Sequence, residues 1–296
     1  MQVNYSTFDL TMVLDSEINF STMPEFIFRS IIGNELRQLN CLFKTKKCEE
    51  CSLRFQCAYS IIFESPIEKE SNVLQGRNYA SHPFLLRKIN CKEREIVLRL
   101  TLIGKAVDYF PYIFYAITKG GESGLFKERI KYLITSVKSA GVELLTEKGE
   151  IKAGEKLLFA IGNLSEKNEE MEALIKFMTP CRLKINGRYT TDFTPLDLIK
   201  SIERRLETLS SLYGAQPELK QEKTDKEIVH KDLKWIDIDR YSARQKTEMK
   251  LGGFVGEVKI KGLFSQYESA LLKGAELFHV GKNASFGLGQ IEVWMK

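Results

Sequence analysis

The sequence runs to 296 residues, 43% hydrophobic and 28% charged, with a net charge of +5. That length suits two domains with a core each, the composition excludes a disordered chain, and the surplus of positive charge is compatible with a polyanionic partner without demanding one. No stretch reaches the roughly 18 uninterrupted apolar residues of a membrane span. The longest candidate, Tyr109 to Ile117, carries Pro111 and three tyrosines. The opening MQVNYSTFDL lacks a cationic region followed by an apolar one, so the expected location is the cytoplasm, with no membrane partner.

Phe8, Leu10, Met12 and Leu14 alternate with Thr7, Asp9, Thr11 and Val13, predicting a half-buried strand. A helix follows, with Thr22 and Glu25 at capping-box spacing, Pro24 in the first turn, and Phe28, Ile31, Ile32, Leu36 and Leu39 on one face. Two extended segments, Pro83 to Ile89 and Glu95 to Ile103, precede a helix over about Val107 to Lys119 that is expected to stop at Gly120 and Gly121. A strand near Arg129 to Val137 closes an order β, α, β, β, α, β. This is the ferredoxin-like (RRM-like) arrangement, two helices on one face of an antiparallel sheet.

The second half repeats the order. Leu174 to Leu183 reads as a strand, and Thr194, Pro195 and Asp197 open a helix whose apolar positions run from Leu196 to Leu212. The charged run Gln216 to Lys234 reads as a loop or frayed insertion. Trp235 to Tyr241 and Gly253 to Ile260 read as strands, Tyr267 to Phe278 as a helix, and Ile291 to Met295 as the last strand. The fold class is therefore α+β, with tandem ferredoxin-like domains at 1–165 and 166–296 and a cysteine-rich insertion at 41–57 after the first helix. The boundary is placed in the polar stretch Gly162 to Glu170.

Four of the six cysteines fall together, as Cys41-x6-Cys48-x2-Cys51-x5-Cys57. A Cys-x2-Cys turn brings two thiolates to one metal, and two flanking cysteines complete a tetrahedral sulfur shell. Lys44, Lys46 and Lys47 favour thiolates. A structural zinc is expected. An iron–sulfur cluster and free thiols stay open as alternatives. Cys91 and Cys181, in strand-like segments, read as ordinary thiols.

Between the last helix and the last strand lies Gly281-Lys-Asn-Ala-Ser-Phe-Gly-Leu-Gly289. Gly281, Gly287 and Gly289 let backbone amides approach an anion, Lys282 adds charge, Asn283 and Ser285 add donors, and Phe286 offers a face for a base. The alternative is a glycine-rich turn into an edge strand. The loop is neither a Walker motif nor a dinucleotide fingerprint, because it leads into a strand rather than opening a helix.

This loop, with Met249-Lys-Leu-Gly-Gly-Phe-Val-Gly-Glu-Val258 and Gly274-Ala-Glu-Leu-Phe-His279 upstream, resembles the C-terminal signature of the CRISPR-associated RAMP endoribonucleases, which process precursor CRISPR RNA. Phe177-Met-Thr-Pro-Cys-Arg-Leu-Lys184 with Asn186 and Gly187, Arg204-Arg-Leu206, and Asp239-Arg-Tyr-Ser-Ala-Arg-Gln245 are similar to other parts of that family's second domain. The first half matches more loosely, through Gly104-Lys-Ala106 and Gly120-Gly-Glu-Ser-Gly124.

The resemblance implies repeat RNA as partner and scission without a metal or other cofactor. The adjacent 2′-hydroxyl attacks the scissile phosphate and leaves a 2′,3′-cyclic phosphate. Many members carry a histidine at or just after the first helix, whereas the three histidines here are His82, His230 and His279. The expected catalytic residues are His279, Tyr241 and Lys282, with His279 open to the alternative of a packed helix-end residue. Arg29 and Arg37 on the first helix, and Arg240 and Arg244 in the second domain, join the loop as expected RNA contacts. The missing first-helix histidine keeps a second reading in view, a non-catalytic RAMP-type RNA-binding subunit assembled with other CRISPR effector subunits.

Overall fold

The computed structural model describes residues 1–67, 80–162, 168–215, 225–242 and 247–296. They fall into an N-terminal unit, Asn4–Leu158, and a C-terminal unit of Phe159–Lys296 together with Met1–Val3. Among the described residues no helix is long and apolar enough to cross a membrane.

In the N-terminal unit, β1 (Gln2–Leu14) turns Phe8, Leu10, Met12 and Leu14 inward, as its alternation requires. α1 (Pro24–Asn40) covers that face with Phe28, Ile32 and Leu36. After β2 (Phe84–Lys92), β3 (Glu95–Ile103) and a 3-10 turn at Gly104–Tyr109 comes α2 (Phe110–Ser123), and β4 (Tyr132–Ser139) follows. The sheet order is β2-β3-β1-β4, all antiparallel, extended at one edge by β5 (Val142–Glu143). This is the ferredoxin-like order. Phe110 stacks on Phe8, and Tyr132 meets Phe28 edge-on, so both helices bury aromatic rings against β1 and β4.

Two local expectations fail here. The capping box at Thr22 and Glu25 does not form: the helix starts at Pro24 behind an N-cap at Met23 that makes no side-chain cap. Glu25 is instead buried, and its carboxylate accepts the Lys88 amide at 2.9 Å, tying α1 to β2. Nor does α2 stop at Gly120 and Gly121. It continues to a C-cap at Gly124, whose φ is +82°. A Cβ on Gly120 would strike Ile31 of α1, and one on Gly121 the Tyr132 backbone. These glycines permit close packing inside the helix rather than ending it.

β6 (Leu157–Ala160) leads into the C-terminal unit. There β7 (Asn168–Cys181) is followed by a small hairpin of β8 (Lys184–Ile185) and β9 (Arg188–Tyr189), then by α3 (Pro195–Tyr213) and β10 (Gly214–Ala215). β10 pairs with Gln2 and Val3. The long pair β11 (Lys226–Ser242) and β12 (Thr247–Ser265), α4 (Gln266–Phe278) and β13 (Ile291–Met295) complete the unit. The order β11-β12-β7-β13 repeats that of the first sheet. Both helices open on full capping boxes, Thr194 with Asp197 and Ser265 with Glu268.

The charged run expected as a loop is in part a strand, since β11 begins at Lys226 and pairs with β12 along its whole length. Residues 216–224 of that run lie outside the described residues, as do 163–167 of the expected boundary. The Lys226 ammonium reaches Glu268 at 2.6 Å, with both side chains nearly buried. A buried partner therefore converts a residue that reads as solvated into an anchor between β11 and α4.

Candidate nucleic-acid interface

α4 ends at Phe278, whose carbonyl accepts the Arg205 Nε–H at 2.6 Å. Burial lowers the pKa of this guanidinium to about 10, so at neutral pH it remains a cation at the negative end of the helix. His279, the C-cap, sits at φ +60° and is only 3% exposed. Its Nδ1 lies 3.1 Å from the Leu288 carbonyl oxygen, which can only accept, so Nδ1 carries the hydrogen. His279 thus ties the end of α4 to the far side of the glycine loop. This is the packed arrangement that the sequence left open.

The loop is stitched down by its own backbone. Val280 N–H donates to Gly289, Gly289 N–H to Pro180, and Lys282 N–H to Arg182, at 2.8–3.1 Å. A 3-10 turn at Ala284–Phe286 uses the Phe286 and Gly287 amides. The Thr179 hydroxyl donates to the Gly287 carbonyl at 2.7 Å and accepts the Gln290 amide at 3.0 Å. Gly289 is obligatory: its φ is +70°, and a Cβ would strike the Val280 carbonyl. Ser285, Gly287 and Gly289, expected as RNA contacts, are buried, because the loop turns back on itself and the Gly289 amide is taken by Pro180 of β7.

What the loop presents outward is Lys282, exposed, with Gly281, Asn283 and Phe286 partly so. The Arg240 guanidinium, from β11, lies 4.2 Å from the Phe286 ring centroid. Partial burial lowers its pKa, and it stays charged. A guanidinium this close to a ring face is held by cation–π attraction, which fixes its positive charge beside the loop.

Next to the loop stands the β8–β9 hairpin, which sequence reasoning did not single out as a binding element. Asn186 and Gly187 occupy its turn at φ +47° and +84°, the Asn-Gly pairing that a two-residue hairpin favours. That dipeptide between Lys184-Ile185 and Arg188-Tyr189 was the available signal. The Arg182 guanidinium lies 4.2 Å from the Tyr189 centroid and donates to the Gly252 carbonyl at 2.7 Å, while its own carbonyl takes the Lys282 amide. One residue therefore links hairpin, loop and β12. The half-exposed Tyr189 ring, with Lys184 and the exposed Arg188, extends the basic surface beside Lys282.

The remaining expected residues lie elsewhere. Arg29 is 8% exposed, its guanidinium packed 5.0 and 4.9 Å from the Phe63 and Phe84 rings, so it is part of the first core and not a surface cation. Arg37 is exposed at the end of α1, over Tyr59. Tyr241 lies in β11, and its side chain and all of Arg244 fall outside the described residues. His230 is exposed on β11, 3.9 Å from Glu257. His82 lies beside Phe63 and Phe84, its Nδ1 3.2 Å from the Ser65 hydroxyl. Cys91 is exposed on β2 and Cys181 is buried. Among the described residues no three His, Cys, Asp or Glu side chains already converge at ligating distance.

Residues 175–291 match the family model of the CRISPR-associated endoribonuclease Cas6, and residues 3–160 match the model AF_1859_N, an N-terminal domain. An uncharacterized protein of Archaeoglobus fulgidus is 24% identical over 277 residues, which is 90% of this chain and 91% of that one. Thermus thermophilus Cas6 superposes with a TM-score of 0.51 at 14% identity, covering 99% of each chain. A product complex of Cas6 gives 0.54 at 15% identity, covering 98% of this chain and 100% of the other. At such identities the structural likeness is one of fold.

Proposed function

The chain belongs to the Cas6-type CRISPR-associated endoribonucleases, with an AF_1859_N domain as its first half, and from that premise we propose that it cleaves CRISPR repeat RNA with no metal at the reacting phosphate. The 2′-oxygen forms a bond to phosphorus and loses its proton, while the bond to the 5′-oxygen breaks and that oxygen gains one. The ends are a 2′,3′-cyclic phosphate and a 5′-hydroxyl. Lys282 and Arg240 supply positive charge against the phosphorane, where electrostatic stabilisation is worth most. Tyr241 is assigned to the reacting hydroxyl, and Arg244 to the same strand of RNA. His279 acts as a positioning residue that keeps the loop, and so Lys282, in place.

The observation that carries this reading is the Arg240 guanidinium 4.2 Å from the ring of Phe286, on the same loop that presents Lys282 and that backbone hydrogen bonds tie to Pro180 and Arg182. Cations held in place by the fold cost little reorganisation at the moment of reaction. The test is a labelled repeat RNA incubated briefly with the protein in excess EDTA. Cyclic-phosphate ends, together with at least a tenfold fall in rate for Lys282→Ala and for Arg240→Ala, support the reading. Cleavage that EDTA abolishes at once, or variants that cut at the wild-type rate, overturn it.

A further inference from the structure

The segment 41–57, between α1 and the start of the following helical turn, has no core of its own. None of its residues is buried, and its only regular element is the 3-10 turn Cys48–Glu50. Leu42, Phe43 and Phe55, which would ordinarily make a core, point to solvent. The residues that are shielded from solvent at all are Cys41, Cys48, Cys51, Leu53, Arg54 and Cys57. Cys48 and Cys57 pack against the core of the unit, and the rest of the stretch has little apolar burial to hold it, which is the situation a cross-link stabilises.

The same four cysteines line one cavity of about 30 Å³, with Lys46 and Arg54 on its wall. We propose that Cys41, Cys48, Cys51 and Cys57 bind a single zinc ion as a closed tetrathiolate, and that this ion is the core of the segment. All four thiols are free of disulfides. The side chains ring the cavity without meeting at one point, so binding requires the four thiols to turn inward by rotation about their Cα–Cβ bonds. The backbone already has the turn that such a site needs, since the Cys51 amide donates to the Cys48 carbonyl at 3.2 Å. This sets the two thiols of the Cys-x2-Cys pair on one side, and Cys41 and Cys57 arrive from the two ends of the segment.

Charge and size both bear on the ion. Four thiols each release a proton on binding, so the loaded centre carries two negative charges, with Lys46 and Arg54 on the cavity wall to offset them. A cavity of about 30 Å³ has room for an occupant the size of a water or two, at roughly 10–15 Å³ each, which accommodates a single ion. With four protein ligands the ion has no open position, so its role is to hold the segment and not to activate water.

The test uses the full chain purified without a metal-affinity column, under reducing conditions. Elemental analysis is expected to give one zinc per chain, retained in Cys91→Ser and lost in the Cys48→Ser, Cys51→Ser double variant. Cobalt added to the metal-free wild-type chain is expected to give, at one equivalent, the visible bands and thiolate charge-transfer absorption of a tetrahedral sulfur site. This second measurement decides the matter if the double variant does not fold. Iron with inorganic sulfide, disulfides among the four, or all four thiols reacting with a thiol reagent as fast as Cys91 in the chain as purified would each overturn the proposal. Because the cleavage test above reads product ends, either idea can fail without the other.

Discussion

Glu25 illustrates how one side chain is reassigned by its surroundings. By spacing it belongs to a capping box, yet in the fold it is buried against β2, and burial raises its carboxyl pKa even though the Lys88 amide and ammonium pull the other way. A raised value means that the folded state favours the protonated form. Its stability contribution is therefore fully present below the unfolded carboxylate value and is lost as pH rises through the folded one. Glu25→Gln keeps the acceptor for Lys88 and removes the charge. Its melting temperature should exceed that of the wild type at neutral pH, and the gap should close in acid; a gap that widens in acid would refute the assignment. Arg29 makes a related point. An arginine off the apolar stripe reads as a surface cation, but two rings from outside the helix, Phe63 and Phe84, enclose it.

Among the elements, the glycine loop matters most. Its motif was legible from spacing, and so were Lys282 and Phe286 as its outward chemistry. Which amides the loop spends on itself was not, because those bonds go to Pro180 and Arg182, about a hundred residues earlier in the chain. Gly289→Ala places a methyl on the Val280 carbonyl at a positive φ, and should cost about 1–3 kcal/mol in chemical denaturation. RNA affinity should fall with it, since Lys282 loses its platform. Denaturation at the wild-type midpoint would show that the loop tolerates the strain. The β8–β9 hairpin is the converse case, a short element with a clear Asn-Gly signal whose significance depends on what it stands beside.

At the scale of the whole molecule, both halves reach the same strand order, 2-3-1-4 counted within each unit, from unrelated residues. Period-2 and period-3.6 patterns sufficed to find the four helices and the strands of the two 2-3-1-4 orders, apart from the first part of β11, because each buries one face. The net charge of +5 is modest, so binding should draw on a few placed cations and not on the overall field. If Lys184, Arg188 and Lys282 each contact a phosphate, log K plotted against log salt should flatten by about 0.7 for each one replaced by alanine on single-stranded RNA. An unchanged slope in the triple variant would place the RNA elsewhere.

The sequence by itself determined the two ferredoxin-like patterns, the cysteine cluster and the glycine-loop motif, since all three are written in residue spacing along a short length of chain. Only the tertiary structure decided that Lys226 is an anchor, that Gly120 and Gly121 lie inside a helix, that Arg29 and His279 are interior, and that Arg182 joins hairpin to loop. Each of those depends on a partner distant in sequence, and burial or a single hydrogen bond from such a partner is enough to reverse what a residue's own neighbourhood suggests.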